Sequence, residues 1–132
     1  IIPMMNILIF GLPGSGKSTF AFNLCKEKDV AHFNGDVVRD MFNEKKFTEQ
    51  DRIDQVIRME KLCNMTKKHC VVDFVCPYDQ FRSFYDIKIF MNTIEFGSYD
   101  DTNKVFEKPH KVDYEISSYD YSDIIREITT RF

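Results

Sequence analysis

The segment Gly11-Leu12-Pro13-Gly14-Ser15-Gly16-Lys17-Ser18 fits the pattern G-x-x-x-x-G-K-[ST]. The pattern carries a mechanism only when it joins a strand to a helix, so it restricts what can stand on either side. Met5-Asn6-Ile7-Leu8-Ile9-Phe10 before it is an apolar run of strand length, and Thr19 to Lys26 after it carries apolar residues at helical spacing. Between them, glycines let successive backbone N–H groups turn inward and form an anion site at a helix N-terminus. Gly11, Leu12, Pro13, Gly14, Ser15, Gly16, Lys17, Ser18 and Thr19 are therefore the expected ATP-binding residues. In such a loop Lys17 reaches the β- and γ-phosphates, and the Ser18 hydroxyl completes a Mg²⁺ shell. ATP and Mg²⁺ are the expected cofactors.

The chain of 132 residues is long enough to bury a core and is expected to form one domain, 1–132. Its formal net charge of −3 argues against nucleic-acid or membrane-surface binding, which need a basic footprint. An anionic substrate must then meet a local cluster of cations. The start Ile1-Ile2-Pro3-Met4-Met5 lacks the basic region and cleavage site of a signal peptide, and Met5 is expected near the native start. Cys25, Cys63, Cys70 and Cys76 show no zinc or C-x-x-C spacing, so free thiols in a reducing, cytoplasmic compartment are expected. His32, His69 and His110 are scattered and read as surface or element-end residues, not ligands.

Further along, Val30-Ala31-His32-Phe33 reads as a short strand ending at the turn signal Asn34-Gly35-Asp36. A helix is expected from Asp36, with Val37, Val38, Met41 and Phe42 on its apolar face. Thr48-Glu49-Gln50-Asp51 has capping-box character. It opens a long helix running to about His69, with Ile53, Val56, Ile57, Leu62, Cys63 and Met65 as expected buried positions. Residues 70–75 and 86–91 read as strands with a helix between them, and 92–111 as irregular and polar. Residues 112–116 alternate like a sheet-edge strand, and Ser122 is expected to cap a last helix carrying Ile124, Ile125 and Ile128. Strands alternating with helices imply an α/β fold: a three-layer P-loop NTPase/kinase fold around a mostly parallel five-stranded sheet. Right-handed crossovers would gather the strands' carboxyl ends around the phosphate loop.

Four segments in order resemble the adenylylsulfate (APS) kinases, P-loop kinases that pass the γ-phosphate of ATP to the 3′-hydroxyl of adenosine 5′-phosphosulfate. They are Gly11 to Thr19; Asn34-Gly35-Asp36-Val37-Val38-Arg39, similar to the family's D-G-D-x-V-R; Lys46-Phe47-Thr48-Glu49-Gln50-Asp51-Arg52, similar to G-F-S-x-x-D-R; and Phe74-Val75-Cys76-Pro77-Tyr78 with Arg82 following. The resemblance covers roughly residues 5–91. It implies that Arg39 and Arg52 grip the acceptor's phosphosulfate with Arg58 and Arg82 nearby, and that Phe47 packs on its adenine. Asn34, Gln55, Cys76, Pro77 and Phe96 complete the implied substrate-binding set. The acceptor would be a small nucleotide, and a homodimer is open to such a chain.

Three positions depart from the family pattern. The first acid of its D-G-D is Asn34 here, and an amide cannot accept a hydroxyl proton. Its adenine-side Asn is Gln55. Its lid, R-D-x-K-G-L-Y, has no counterpart after Met91, where Asn92-Thr93-Ile94 leads almost directly to Glu95-Phe96-Gly97. Asp73 closes an apolar strand run, the place of a metal-linked carboxylate in many phosphate-loop proteins, and is the expected replacement acid, with a metal role beside Ser18. Lys17, Asp36 and Asp73 form the expected catalytic set. Returning an acid to position 34 is expected to leave activity equal or higher. Two other readings stand beside this one: a kinase for a different nucleotide or phosphorylated metabolite, and a nucleotide-binding module that does not catalyse.

Overall fold

The computed structural model describes residues 3–132; Ile1 and Ile2, on which part of the signal-peptide expectation falls, lie outside the described residues. Five strands form one sheet: β1 (Asn6–Phe10), β2 (Ala31–Asn34), β3 (Cys70–Asp73), β4 (Ile87–Met91) and β5 (Tyr114–Ile116). Their spatial order is β2-β3-β1-β4-β5, and every neighbouring pair is parallel. The apolar runs on β1, β3 and β4 have this cause: a central parallel strand is covered on both faces and needs hydrophobic residues in both directions.

Alternate residues of β1 feed two separate cores. Leu8 and Phe10 pack with Val72, Val56, Met59 and Tyr85 beneath helix α3 (Glu49–Met65). Ile7 and Ile9 pack with Ile87, Ile89, Phe20 and Leu24, where helix α1 (Lys17–Cys25) and helix α5 (Ser122–Thr129, through Ile128) lie. Helix, sheet and helix make the three layers. Among the described residues no helix is long and apolar enough to cross a membrane, and all four cysteines are free thiols.

The phosphate loop leaves the central strand β1 and enters α1. Gly11 starts it with φ +150, and a Cβ there would stand 2.7 Å from the Met91 carbonyl oxygen, so this turn against β4 admits only glycine. Helix α2 (Gly35–Met41) begins where β2 ends, its N-terminus capped by Asn34 Oδ1, which accepts from the Val37 N–H at 3.0 Å. The N-cap of α3 is the expected capping box, with Thr48 and Asp51 satisfying each other's backbone N–H.

Several expectations are corrected. On α2 only Gly35 and Val38 are buried; Val37, Met41 and Phe42 are exposed, because a two-turn helix at the sheet's carboxyl edge reaches the core with one turn only. On α3, Ile57 and Met65 are exposed, while Met59 and the polar Arg52 and Gln55 are buried. That helix also ends at Met65, where Thr66 Oγ1 donates to the Cys63 carbonyl and competes with a further turn. The helix between β3 and β4 is a 3-10 helix, Asp79–Phe84. Residues 92–111 are not wholly irregular: they contain α4 (Asp100–Val105). Strand β5 starts at Tyr114, two residues later than the alternation suggested, and Ser122 is the first helical residue of α5, whose N-cap is Tyr121.

Candidate active site

The phosphate loop is held by its own backbone. The Ser15 N–H donates to the Leu12 carbonyl at 3.1 Å, and Lys17 Nζ donates to the same oxygen at 2.9 Å. No acidic side chain occupies the first turn of α1, so its N–H groups and positive dipole end are left to an anion. Burial lowers the Lys17 ammonium to about 8, although Asp73 and Asp36 pull it the other way. A phosphate beside Lys17 would restore the charge that burial opposes.

Asp73, only 1% exposed, is the hub behind the loop. Its Oδ1 accepts from Ser18 Oγ at 3.0 Å and from Asn34 Nδ2 at 2.7 Å, and its Oδ2 lies 2.5 Å from His32 Nε2. Asn34 Nδ2 also donates to Ser18 Oγ at 2.9 Å. Parallel pairing sets this up: Asn34 is in register with Asp73 and His32 with Val71, so His32 and Asn34 leave β2 on the face from which Asp73 leaves β3. His32 is exposed on the edge strand, in keeping with the surface reading, and in addition holds a buried partner. His69 also has a structural partner, since its Nδ1 accepts from the Met5 N–H at 2.9 Å.

The donor set suits a divalent cation shared with phosphates. The Ser18 proton points to Asp73 and one lone pair meets Asn34, which leaves one lone pair for a metal. Among the described residues no group of three or more His, Cys, Asp or Glu could hold a metal alone, so the cation would draw most of its ligands from nucleotide and water.

In front of this hub opens a cavity of about 850 Å³. One wall is the phosphate loop, from Pro13, Gly14, Gly16, Lys17, Ser18 and Thr19. Asn34 lines it against Ser18, and the rest of the lining brings together Asp36, Arg39, Phe47, Arg52, Gln55, Cys76 and Pro77 from four separate stretches of chain. Arg52 is 7% exposed, yet its one side-chain hydrogen bond is to Thr102 Oγ1 at 3.3 Å, and no carboxylate lies within ion-pair distance among the described residues. Arg39 sits 4.4 Å over the Phe47 ring and donates weakly to the Lys46 carbonyl at 3.4 Å. Burial also holds its guanidinium below the ordinary value, with Glu44 opposing. Two guanidinium groups in one wall without a paired acid make an anion subsite. Asp36 stands beside them in the first turn of α2, exposed and free of side-chain hydrogen bonds among the described residues.

Cys76 is fully buried at the cavity wall in the left-handed region, φ 44, and burial raises its thiol to about 12, so it is a shaping residue and no nucleophile. Gly11, Leu12 and Ser15 shape the loop without lining the cavity.

Three expected substrate contacts lie elsewhere. Phe96 is exposed and outside the cavity lining. Arg58 donates to Gln55 Oε1 at 3.0 Å, pairs with Glu44 at 3.5 Å and covers the Phe42 ring. Arg82 is 1% exposed and donates to the carbonyls of Cys76, Pro77 and Glu107 at 3.0, 3.0 and 2.6 Å, and to Asp79 at 3.1 Å. Its guanidinium is spent on the scaffold. Gln55 lines the wall, but its amide is engaged with the Gly35 carbonyl at 2.9 Å.

The sequence reading did not name Phe74, Val75 or the block Ser98 to Thr102 as site residues, yet all of them line the cavity. After β4, Asn103 clamps the chain by bonding both the N–H (2.8 Å) and the carbonyl (3.0 Å) of Gly97, beside Pro13. This sets Tyr99, Asp100 and Asp101 at the rim; Lys104 is exposed and does not line the cavity. The adjacent acids Asp100-Asp101 opening a helix were the available signal.

The parallel sheet, the loop and its helix define a protein with a P-loop kinase-like α/β fold. A family model described as "AAA domain" matches residues 7–76, over half of the chain, and the chain belongs to that family. No curated protein matches the sequence. Among solved structures, APS kinase from Mycobacterium tuberculosis in complex with AMPPNP and APS is similar with TM-score 0.74 at 17% identity, covering 98% of each chain. Shikimate kinase from Aquifex aeolicus gives 0.68 at 17%, covering 96% of this chain and 94% of that one. A gluconokinase from Sinorhizobium meliloti gives 0.66 at 15%, covering 98% and 91%. Identities this low speak for the shared fold alone.

Proposed function

We propose that this protein is a Mg-ATP-dependent phosphotransferase that passes the γ-phosphate to a hydroxyl of a small anionic metabolite, with adenosine 5′-phosphosulfate as the first acceptor to test. The observation that carries the reading is the pair Arg39 and Arg52, uncompensated cations in the wall facing the phosphate loop. Phosphoryl transfer consists mostly of positioning and charge neutralisation, and the two walls divide that work. Lys17 and the first turn of α1 hold the donor phosphates; Arg39 and Arg52 hold the acceptor's anionic group, and Phe47 offers it a flat apolar face. Mg²⁺, when bound, would neutralise and orient the β- and γ-oxygens. Ser18 would hold that cation, and Asp73 behind it would take the Ser18 proton bond. Asp36 is the carboxylate free to receive the acceptor's hydroxyl proton.

A second acceptor class is favoured by one observation. Gln55 is engaged with Gly35 and Arg58, and Asp100 and Asp101 stand at the rim, a setting that suits a phosphorylated metabolite rich in hydroxyl donors. ADP release measured against a panel of phosphosulfate, nucleotide and sugar-phosphate acceptors distinguishes the two. With the true acceptor, Arg39→Ala and Arg52→Ala should each raise its KM roughly tenfold to a hundredfold and leave the ATP KM nearly unchanged. Loss of ATP and acceptor binding alike would overturn the division between the walls.

A further inference from the structure

We propose that His32 is a positioning residue for the divalent cation: it holds Asp73 in the one orientation that draws the Ser18 proton away and leaves the Ser18 lone pair open to the metal. The inference rests on the reading of the loop as a Mg-nucleotide site, and it assigns a role to a residue outside the cavity wall. Asp73 is almost fully buried, so each of its oxygens needs a partner. Oδ1 has two, Ser18 and Asn34; Oδ2 has His32 alone, at 2.5 Å. Without the imidazole, Oδ2 loses its one donor, and the carboxylate is free to turn about its Cβ–Cγ bond toward another. Such a turn breaks the pattern at Oδ1. A rotated Asp73 no longer accepts from Ser18, whose O–H is then free to swing into the direction from which the metal would approach.

His32 suits this task by its place in the fold. It lies on the edge strand β2, two residues before Asn34 and on the same face, so one short strand grips both oxygens of the carboxylate. Its side chain is 27% exposed, which leaves its outer edge in water while Nε2 points inward. A metal-binding serine thus depends on a histidine that never touches the metal, as second-layer partners commonly set the orientation of ligands.

Mn²⁺ binding in the presence of saturating AMPPNP, followed by electron paramagnetic resonance, tests this without turnover. Wild type should bind, His32→Leu should bind Mn²⁺ at least tenfold more weakly, and His32→Gln, whose amide can donate from nearly the same place, should recover most of that loss. Circular dichroism and melting curves of the variants without cation show whether each is folded. Where His32→Leu does not fold, His32→Gln and His32→Met decide, the methionine having similar reach but no donor. Equal Mn²⁺ affinity in wild type and folded donor-less variants overturns the proposal, as does equal weakening in Gln and in Leu or Met. Failure of wild type to bind Mn-AMPPNP would instead overturn the nucleotide-site reading on which it rests.

Discussion

The guanidinium of Arg82 lies 4.3 Å over the ring of Phe10, the last residue of β1 before the phosphate loop. It lies 5.2 Å from the ring of Phe106, and its N–H groups reach carbonyls at 76, 77 and 107. One buried side chain thus ties the loop after β3, the segment after α4 and the end of β1 into one block. Arg82→Ala should leave these carbonyls unpaired around a void and cost about 3 kcal/mol or more of stability. Urea unfolding measures this. If the variant keeps its midpoint but loses acceptor affinity, Arg82 is a substrate ligand after all.

Asn34→Asp is expected to harm the site. The new carboxylate would keep the α2 cap but face Asp73 Oδ1 at the present 2.7 Å. Two acids this close cannot both ionise, so one would take a raised folded-state pKa. The destabilisation, about 1–3 kcal/mol, is therefore present at neutral pH and relieved as pH falls through that raised value. Melting temperature across pH reports it, and kcat at pH 7 should fall by about tenfold or more. This reverses the expectation drawn from sequence resemblance. Equal or higher activity with an unchanged melting profile would restore it.

Lys17 predicts a pH dependence of nucleotide binding. Its free-protein value of about 8 means that the amine is charged below that pH, and phosphates then bind at no protonation cost. Above it, binding must take up a proton, because the bound phosphates raise the lysine's pKa. Affinity should hold steady at lower pH and weaken by up to about tenfold per unit above about 8. Calorimetry in buffers of different ionisation enthalpy detects the proton uptake directly. Undiminished affinity well above that value would mean that Lys17 does not meet the phosphates.

Asp36→Asn removes the free carboxylate beside Arg39 without disturbing Asn34 or Asp73. With the acceptor identified, kcat should drop about a hundredfold, the usual scale for one proton-transfer group, while ATP affinity changes little. Single-turnover rates at saturating substrates give the comparison. An unchanged rate would assign the proton to water.

The sequence by itself determined the phosphate loop, the apolar strands, the capping box on α3 and the parallel α/β class. Each rests on neighbours in the chain: glycine spacing, runs of buried residues, a threonine three positions before an aspartate. Arg39, Phe47 and Arg52, implied by the family resemblance, and Asp36 all line the cavity. Only the tertiary structure decided which charges serve the cavity and which serve the scaffold. Arg39 and Arg82 look alike in sequence, but the Arg82 donors meet carbonyls supplied by residues up to 25 positions away. His32 gained its partner 41 positions along the chain because the strand order places β2 next to β3. Helix α4 and its rim acids depended on the clamp between Gly97 and Asn103, on the buried Thr102 and on the half-buried Phe106. Local chemistry writes strands, caps and loops, whereas a buried polar group finds its duty in whatever partners the packed sheet brings within hydrogen-bonding reach.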